Sequence, residues 1–421
     1  MTRIGRYDNP HKCVSFAAIN ASVRAEPIAL EAADGGLGSA LLYQSGSPRT
    51  AVCFMHPQAN MSRHYAIPAL VDAGYAAFGQ NSRYVNNDTH CIHELLLLDV
   101  AAGQRFLRGR GFENVVLVGN SGGGSLFAFY QAQAATPPPR RLRESPGGDR
   151  VDLNTHDLPA ADAYVMLAAH LGEGQILMHM IDPSVADESD PLSCDHGLDP
   201  YDPANGYRPP PESSCYDAPF VDQYRQAQRD RVARIDAIAR TLIDDRNRAR
   251  AAIVDPGFAG RPEHERTRTL RRAAVHPPMI VHRTEADLRA MDLSLDPSDR
   301  DAGTLFSYRP DLTNYMELGF ARVTTPKAWL STWSGLSSNA SLERNGPGVD
   351  VPSLVISYDG DNAIFPADAQ RAFDLLAATD KSLVRVAGDH YGFAVGTQDR
   401  VGAKLATDAL IAWLRERFPP S

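Results

Sequence analysis

Short apolar runs alternate with helix-like segments over the first 130 residues, a pattern that predicts stacked β-α units and a mostly parallel sheet. Residues 26–31 and 39–44 read as two opening strands joined through Asp34-Gly35-Gly36, and 50–55 as a continuous apolar strand ending at His56-Pro57. A short helix at 67–73 is broken by Gly74 before a strand at 75–78. Residues 93–108 read as a helix, with Leu96, Val100, Phe106 and Leu107 among its apolar positions. Residues 115–118 are apolar without a break, as a strand covered on both faces requires, and feed directly into Gly119. Helix resumes at 125–135 until Pro137-Pro138-Pro139 stops it, and a polar loop leads to a buried strand at 163–168.

Two further strands, at 353–357 and 383–386, and a closing helix at 403–418 come only far downstream. The stretch between has a different character. It opens with Asp-Pro pairs at Asp182, Asp190, Asp199 and Asp202, read as irregular turns. A charged amphipathic helix follows over 221–253, with Ile235, Ile238, Ala239 and Leu242 on one face. Residues 171–345 are too long for a plain loop, so the expectation is a mainly helical cap inserted between strands 6 and 7. Residues 1–170 and 346–421 would then form the core, of α/β class: a doubly wound, mostly parallel sheet flanked by helices.

Composition narrows the partners. Of 421 residues, 43% are hydrophobic and 22% charged, ordinary for a soluble enzyme. A net charge of −9 without a Lys/Arg stripe argues against nucleic acid, and no apolar run is long enough to span a membrane. The five cysteines, Cys13, Cys53, Cys91, Cys194 and Cys215, are odd in number and scattered, which favours reduced thiols, although Cys194 and Cys215 are a pair to watch in an oxidising compartment. With a polar stretch at 1–9, the expectation is a cytoplasmic protein whose partner is a small molecule; nothing fixes an oligomeric state, a homodimer included.

Gly119-Asn120-Ser121-Gly122-Gly123 carries the chemistry. A serine hydroxyl is a poor nucleophile until a histidine, oriented by a carboxylate, takes its proton. Gly-x-Ser-x-Gly between a strand and a helix is the turn that exposes such a serine, and an acid and then a histidine should follow. The acid lies in Asp359-Gly360-Asp361 after the strand at 351–358; Asp361 is preferred because Ile364 and Pro366 follow it, with Asp359 as rival. His390, in Gly388-Asp389-His390-Tyr391-Gly392, is the base, while Asp389 is read as capping its own loop. The oxyanion is assigned to the N–H groups of Gly122 and Gln58, since Pro57 has none. His56 and His170 are candidate substrate contacts, each with a loop-stiffening hydrogen bond as the plainer role. Cys194-Asp195-His196 lacks a spaced second pair, so neither metal nor cofactor is expected. Trp329, Trp333, Phe306, Tyr308 and Tyr315 supply bulk that serves either a substrate pocket or packing.

Taken together, these residues resemble the α/β-hydrolase superfamily over about residues 26–135, 160–170 and 350–418. The resemblance implies about eight strands, with the catalytic groups on loops at their carboxyl ends. Gly119-Asn120-Ser121-x-Gly-Gly and Val71-Asp72-Ala73-Gly74-Tyr75 are similar to the meta-cleavage-product C–C hydrolases and to many esterases. Two segments depart from the pattern: His56-Pro57 replaces the usual His-Gly, and residues 81–88 replace the usual Asp-x-Arg-Gly-x-Gly loop. Serine at 121 argues against the dehalogenase and epoxide-hydrolase branches. The expected activity is carboxylic ester hydrolysis through an acyl-enzyme. A C–C hydrolase, an acyltransferase on the same three residues and a non-catalytic binding module are the alternatives.

Overall fold

The computed structural model describes residues 19, 20 and 22–420; Cys13 and the stretch 1–9 lie outside them. Eight strands form one sheet: β1 (Arg24–Glu31), β2 (Leu37–Gln44), β3 (Thr50–Phe54), β4 (Ala76–Asn81), β5 (Asn114–Asn120), β6 (Ala163–Leu167), β9 (Ser353–Tyr358) and β10 (Lys381–Val386). A separate antiparallel pair, β7 (Met279–Ile280) and β8 (Val323–Thr324), sits in the intervening segment. The sheet order is β1-β2-β4-β3-β5-β6-β9-β10; β2 runs antiparallel to both its neighbours and every other pairing is parallel. Strand order reverses between β3 and β5, the place where doubly wound sheets open a crevice at their carboxyl ends.

The central strands are apolar throughout because helices cover both faces. Val52, Val116, Val118, Val165 and Ile356 pack on one side against α1 (Ile67–Asp72) and the C-terminal helix Val401–Arg417. Their sequence neighbours Ala51, Cys53, Val115, Leu117 and Val355 face α2 (His93–Gly109), α3 (Gly122–Ala135) and the helix Pro366–Leu375. A period of two thus divides one strand between two cores. Each fully buried Val, Leu, Ile or Phe side chain contributes about 1.5–3 kcal/mol.

Between β6 and β9 the chain carries α4 (Glu173–Met180), the 36-residue α5 (Ala218–Ile253) and α6 (Glu263–Ala274), separated by long irregular stretches. Asp217 starts α5 by accepting from the Phe220 N–H at 2.8 Å. Its buried stripe runs Tyr224, Gln228, Arg231, Val232, Ile235 and Ala239, so Ile238, placed on the apolar face from sequence, is 39% exposed instead. Polar residues take part in that stripe because each is paired. Arg231 bridges Glu188 and three backbone carbonyls, and Asp236 accepts from Trp329 Nε1 at 2.7 Å. Trp329 and Trp333 pack with Leu177, Val232 and Ile235, so their bulk builds the core of this segment. No helix among the described residues is long and apolar enough to cross a membrane.

Candidate active site

β5 ends at Asn120, α3 begins at Gly122, and Ser121 forms the turn between them with φ 52 and ψ −121. A non-glycine residue held there is strained by about 1–3 kcal/mol and persists only where its surroundings over-determine it. They do. Ser121 N–H donates to Leu167 O at 3.2 Å and Asn120 Nδ2 to the same carbonyl at 2.8 Å, tying the turn to the end of β6. A Cβ on Gly119 would stand well inside contact distance of the Gly123 and Gly124 backbones, and one on Gly123 would strike Met55 O. Gly119→Ala is therefore expected to displace the turn by about 1 Å, costing at least about 100-fold in activity. Steady-state ester hydrolysis beside a thermal melt measures that loss.

Two loops complete the group. His390 Nε2 lies 3.2 Å from Ser121 Oγ, and His390 Nδ1 lies 2.9 Å from Asp361 Oδ2. Asp361 is 1% exposed, and its Oδ1 accepts from the N–H groups of Ala363 at 2.7 Å and Ile364 at 3.0 Å. Asp359 is engaged elsewhere: its backbone joins the loop to Val386 and Asp299, and its carboxyl is raised by burial and then by Asp299. Asp389 Oδ1 accepts from the N–H groups of Tyr391 and Phe393, both at 2.9 Å, which shapes the loop that presents His390.

The Gly122 N–H opens α3, at the positive end of the helix dipole. The Gln58 N–H is engaged within its own loop. Its backbone N–H donates to His56 Nδ1 at 3.1 Å, joined there by the Ala59 N–H at 2.9 Å, because the imidazole folds back beneath its own loop. His56 thus stiffens the turn, and its Nε2 stands 3.0 Å from where a Cβ on residue 122 would be. His170 Nδ1 accepts from the Gly172 N–H at 3.2 Å, and its Nε2 faces Glu173 Oε2 at 3.5 Å.

Glu173 and His93 were not singled out in the sequence, yet both belong to this place. Glu173, on the first turn of α4, sets its carboxylate against Gly122. Burial works to raise its carboxyl, but His170 first, then His56 and His93, hold it at about 2. Burial pushes the His56 and His93 imidazoles down to about 4 against the pull of Glu173. The only available signal was position, an ionisable residue just past the carboxyl end of a central strand. Beside them a cavity of about 290 Å³ is lined by His170, Ile176, His179, Arg289, Ala363 and Arg371.

Away from this site, Cys194, His196 and Asp199 bring their ligand atoms within 4.8 Å of one another. Asp199 Oδ1 accepts from the Tyr201 N–H, and Cys194 is an unpaired thiol, as are Cys53, Cys91 and Cys215.

No family model matches the chain, and no curated protein matches it. Among solved structures it is similar to an esterase domain from Rhodothermus marinus, with 12% identity over 93% of this chain and 98% of that one and a TM-score of 0.44. It is also similar to DcsB in complex with a substrate analogue, at 12% identity over 93% and 99% with a TM-score of 0.49. A hypothetical protein from Pseudomonas aeruginosa stands at 14% over 96% of both chains, with a TM-score of 0.45. The chain's own architecture defines its class. Antiparallel β1 and β2 lead into a parallel sheet, a strained serine turn joins β5 to α3, and acid and histidine loops follow β9 and β10: this is an α/β-hydrolase fold.

Proposed function

We propose that the protein is a serine hydrolase that cleaves a carboxylic ester through an acyl-enzyme. The hydrogen-bonded chain from Ser121 through His390 to Asp361 carries this reading. His390, oriented by Asp361, takes the Ser121 proton as the oxygen attacks the carbonyl; the same imidazole then protonates the departing alcohol. Water, deprotonated by His390, releases the acid and restores Ser121. The Gly122 N–H receives the oxyanion, and the Gln58 N–H joins it only by exchanging His56 Nδ1 for that oxygen. Residues 171–345 act as a cap on the core, and α4 within them brings Glu173 to the serine.

Labelling with a fluorophosphonate probe tests the reading. Ser121 should become covalently modified, and p-nitrophenyl esters of graded chain length should turn over. Labelling that persists in Ser121→Ala would overturn the assignment. Turnover of a ring-fission diketone in place of every ester would shift it to a C–C hydrolase.

A further inference from the structure

Two polar groups stand against Gly122: a Cβ placed there would strike Glu173 Oε1 and stand 3.0 Å from His56 Nε2. His56 Nδ1 accepts two backbone N–H groups, so the ring proton sits on Nε2, which stands beside residue 122. Gln58 Nε2 is buried farther along the same loop, beside the Cys91 thiol. These are donors. The acceptors follow by the same reasoning. Thr332 gives its single hydrogen to Cys91 O at 2.7 Å, so its 3.1 Å contact with His93 Nδ1 is donated by the ring. His93 Nε2 is then a bare lone pair, buried and unpartnered. The Glu173 carboxylate, 2% exposed, meets only the His170 Nε2–H at 3.5 Å among the described residues. Buried polar groups are seldom left unmatched, and the two that border residue 122, the Glu173 carboxylate and the His56 Nε2–H, set an acceptor beside a donor where substrate must lie.

Their mixture selects the ligand. An alkyl group would match none of them. An ammonium has no lone pair for the His56 N–H, and a carboxylate has no hydrogen to give and would face Glu173 charge to charge. A hydroxyl has one hydrogen to give and two lone pairs to accept with. We infer that this pocket selects substrates whose acid half carries a hydroxyl one or two carbons from the carbonyl, donating to Glu173 and accepting from His56 Nε2–H. Residue 122 is both the wall of the pocket and the donor to the carbonyl oxygen, which sets that short spacing. The inference rests on the acyl-enzyme reading above.

The experiment compares kcat/KM for phenyl esters of butyric, 2-hydroxybutyric, 3-hydroxybutyric and 2-aminobutyric acid, with fluorophosphonate labelling of Ser121 run in parallel. One hydroxy ester should exceed the butyrate by at least about 10-fold, because a site built to bond a hydroxyl rejects the analogue lacking it. Glu173→Gln should bring that ratio to within about 3-fold. A merely structural defect would scale both esters together and leave the ratio unmoved. Equal rates on all four, or preference for the butyrate or the amino ester, overturns the pocket while labelled Ser121 keeps the hydrolase. Absence of labelling overturns both. The wild-type ratios decide the matter even where Glu173→Gln fails to fold.

Discussion

Replacing Ser121 with alanine is expected to lower kcat on the best p-nitrophenyl ester by about 10⁶-fold, to the residue of rate that binding alone supplies. Nucleophile and base act as a unit: without Oγ, His390 has no proton to take, and its 3.2 Å contact becomes a bare nitrogen facing a methyl group. What survives is the Gly122 N–H and whatever orientation the site gives a bound ester, together worth about 10³–10⁴ over water. Folding should be nearly indifferent. Alanine meets the same positive φ penalty at 52° that serine does, and the backbone bonds to Leu167 do not involve the hydroxyl. Pre-steady-state release of p-nitrophenol measures the loss, and an unchanged thermal melt assigns it to chemistry. A variant retaining more than about 1% of the wild-type rate would remove Ser121 from the mechanism.

Ser121 was legible because its geometry is local. Strand, glycine turn and helix lie within about twenty residues of sequence, and the glycines are needed where backbone meets backbone. The choice between Asp361 and Asp359 was less secure from sequence, since two residues' difference decides which face of a turn a carboxylate leaves by. In the structure the N–H groups of Ala363 and Ile364 hold Asp361 Oδ1, and Oδ2 lies 2.9 Å from His390 Nδ1. Gln58 illustrates a limit of another kind. Spacing after β3 singles out its amide but says nothing of the rotamer of His56, which claims that amide. Ile238 shows a smaller one, for on a helix as polar as α5 apolar residues alone do not fix the buried stripe when Arg231 and Asp236 share it. Glu173 was hidden because its meaning is tertiary. It becomes a neighbour of Gly122 only when β5 and β6 pair, fifty residues of chain having passed between them.

Asp361→Asn should cost about 10⁴-fold in kcat, and the reason lies in which atoms the loop holds. Oδ1 accepts two backbone N–H groups, from Ala363 and Ile364, so the amide of an asparagine must place its oxygen there. Its NH₂ then faces His390 Nδ1 at the position where Oδ2 now lies 2.9 Å away. Two donors cannot share a hydrogen bond, so His390 turns to the other tautomer, with Nδ1 bare and the proton on Nε2. That nitrogen is the one 3.2 Å from Ser121 Oγ, and once protonated it can no longer take the serine proton. The fold loses little, because the amide preserves both loop bonds and the shape of the carboxylate. Asp359→Asn provides the contrast. Its carboxyl has no bond to His390, and activity should stay within about 3-fold of wild type. Should the Asp359 variant fall by thousands and the Asp361 variant remain active, the acid that orients His390 would have to be reassigned to Asp359.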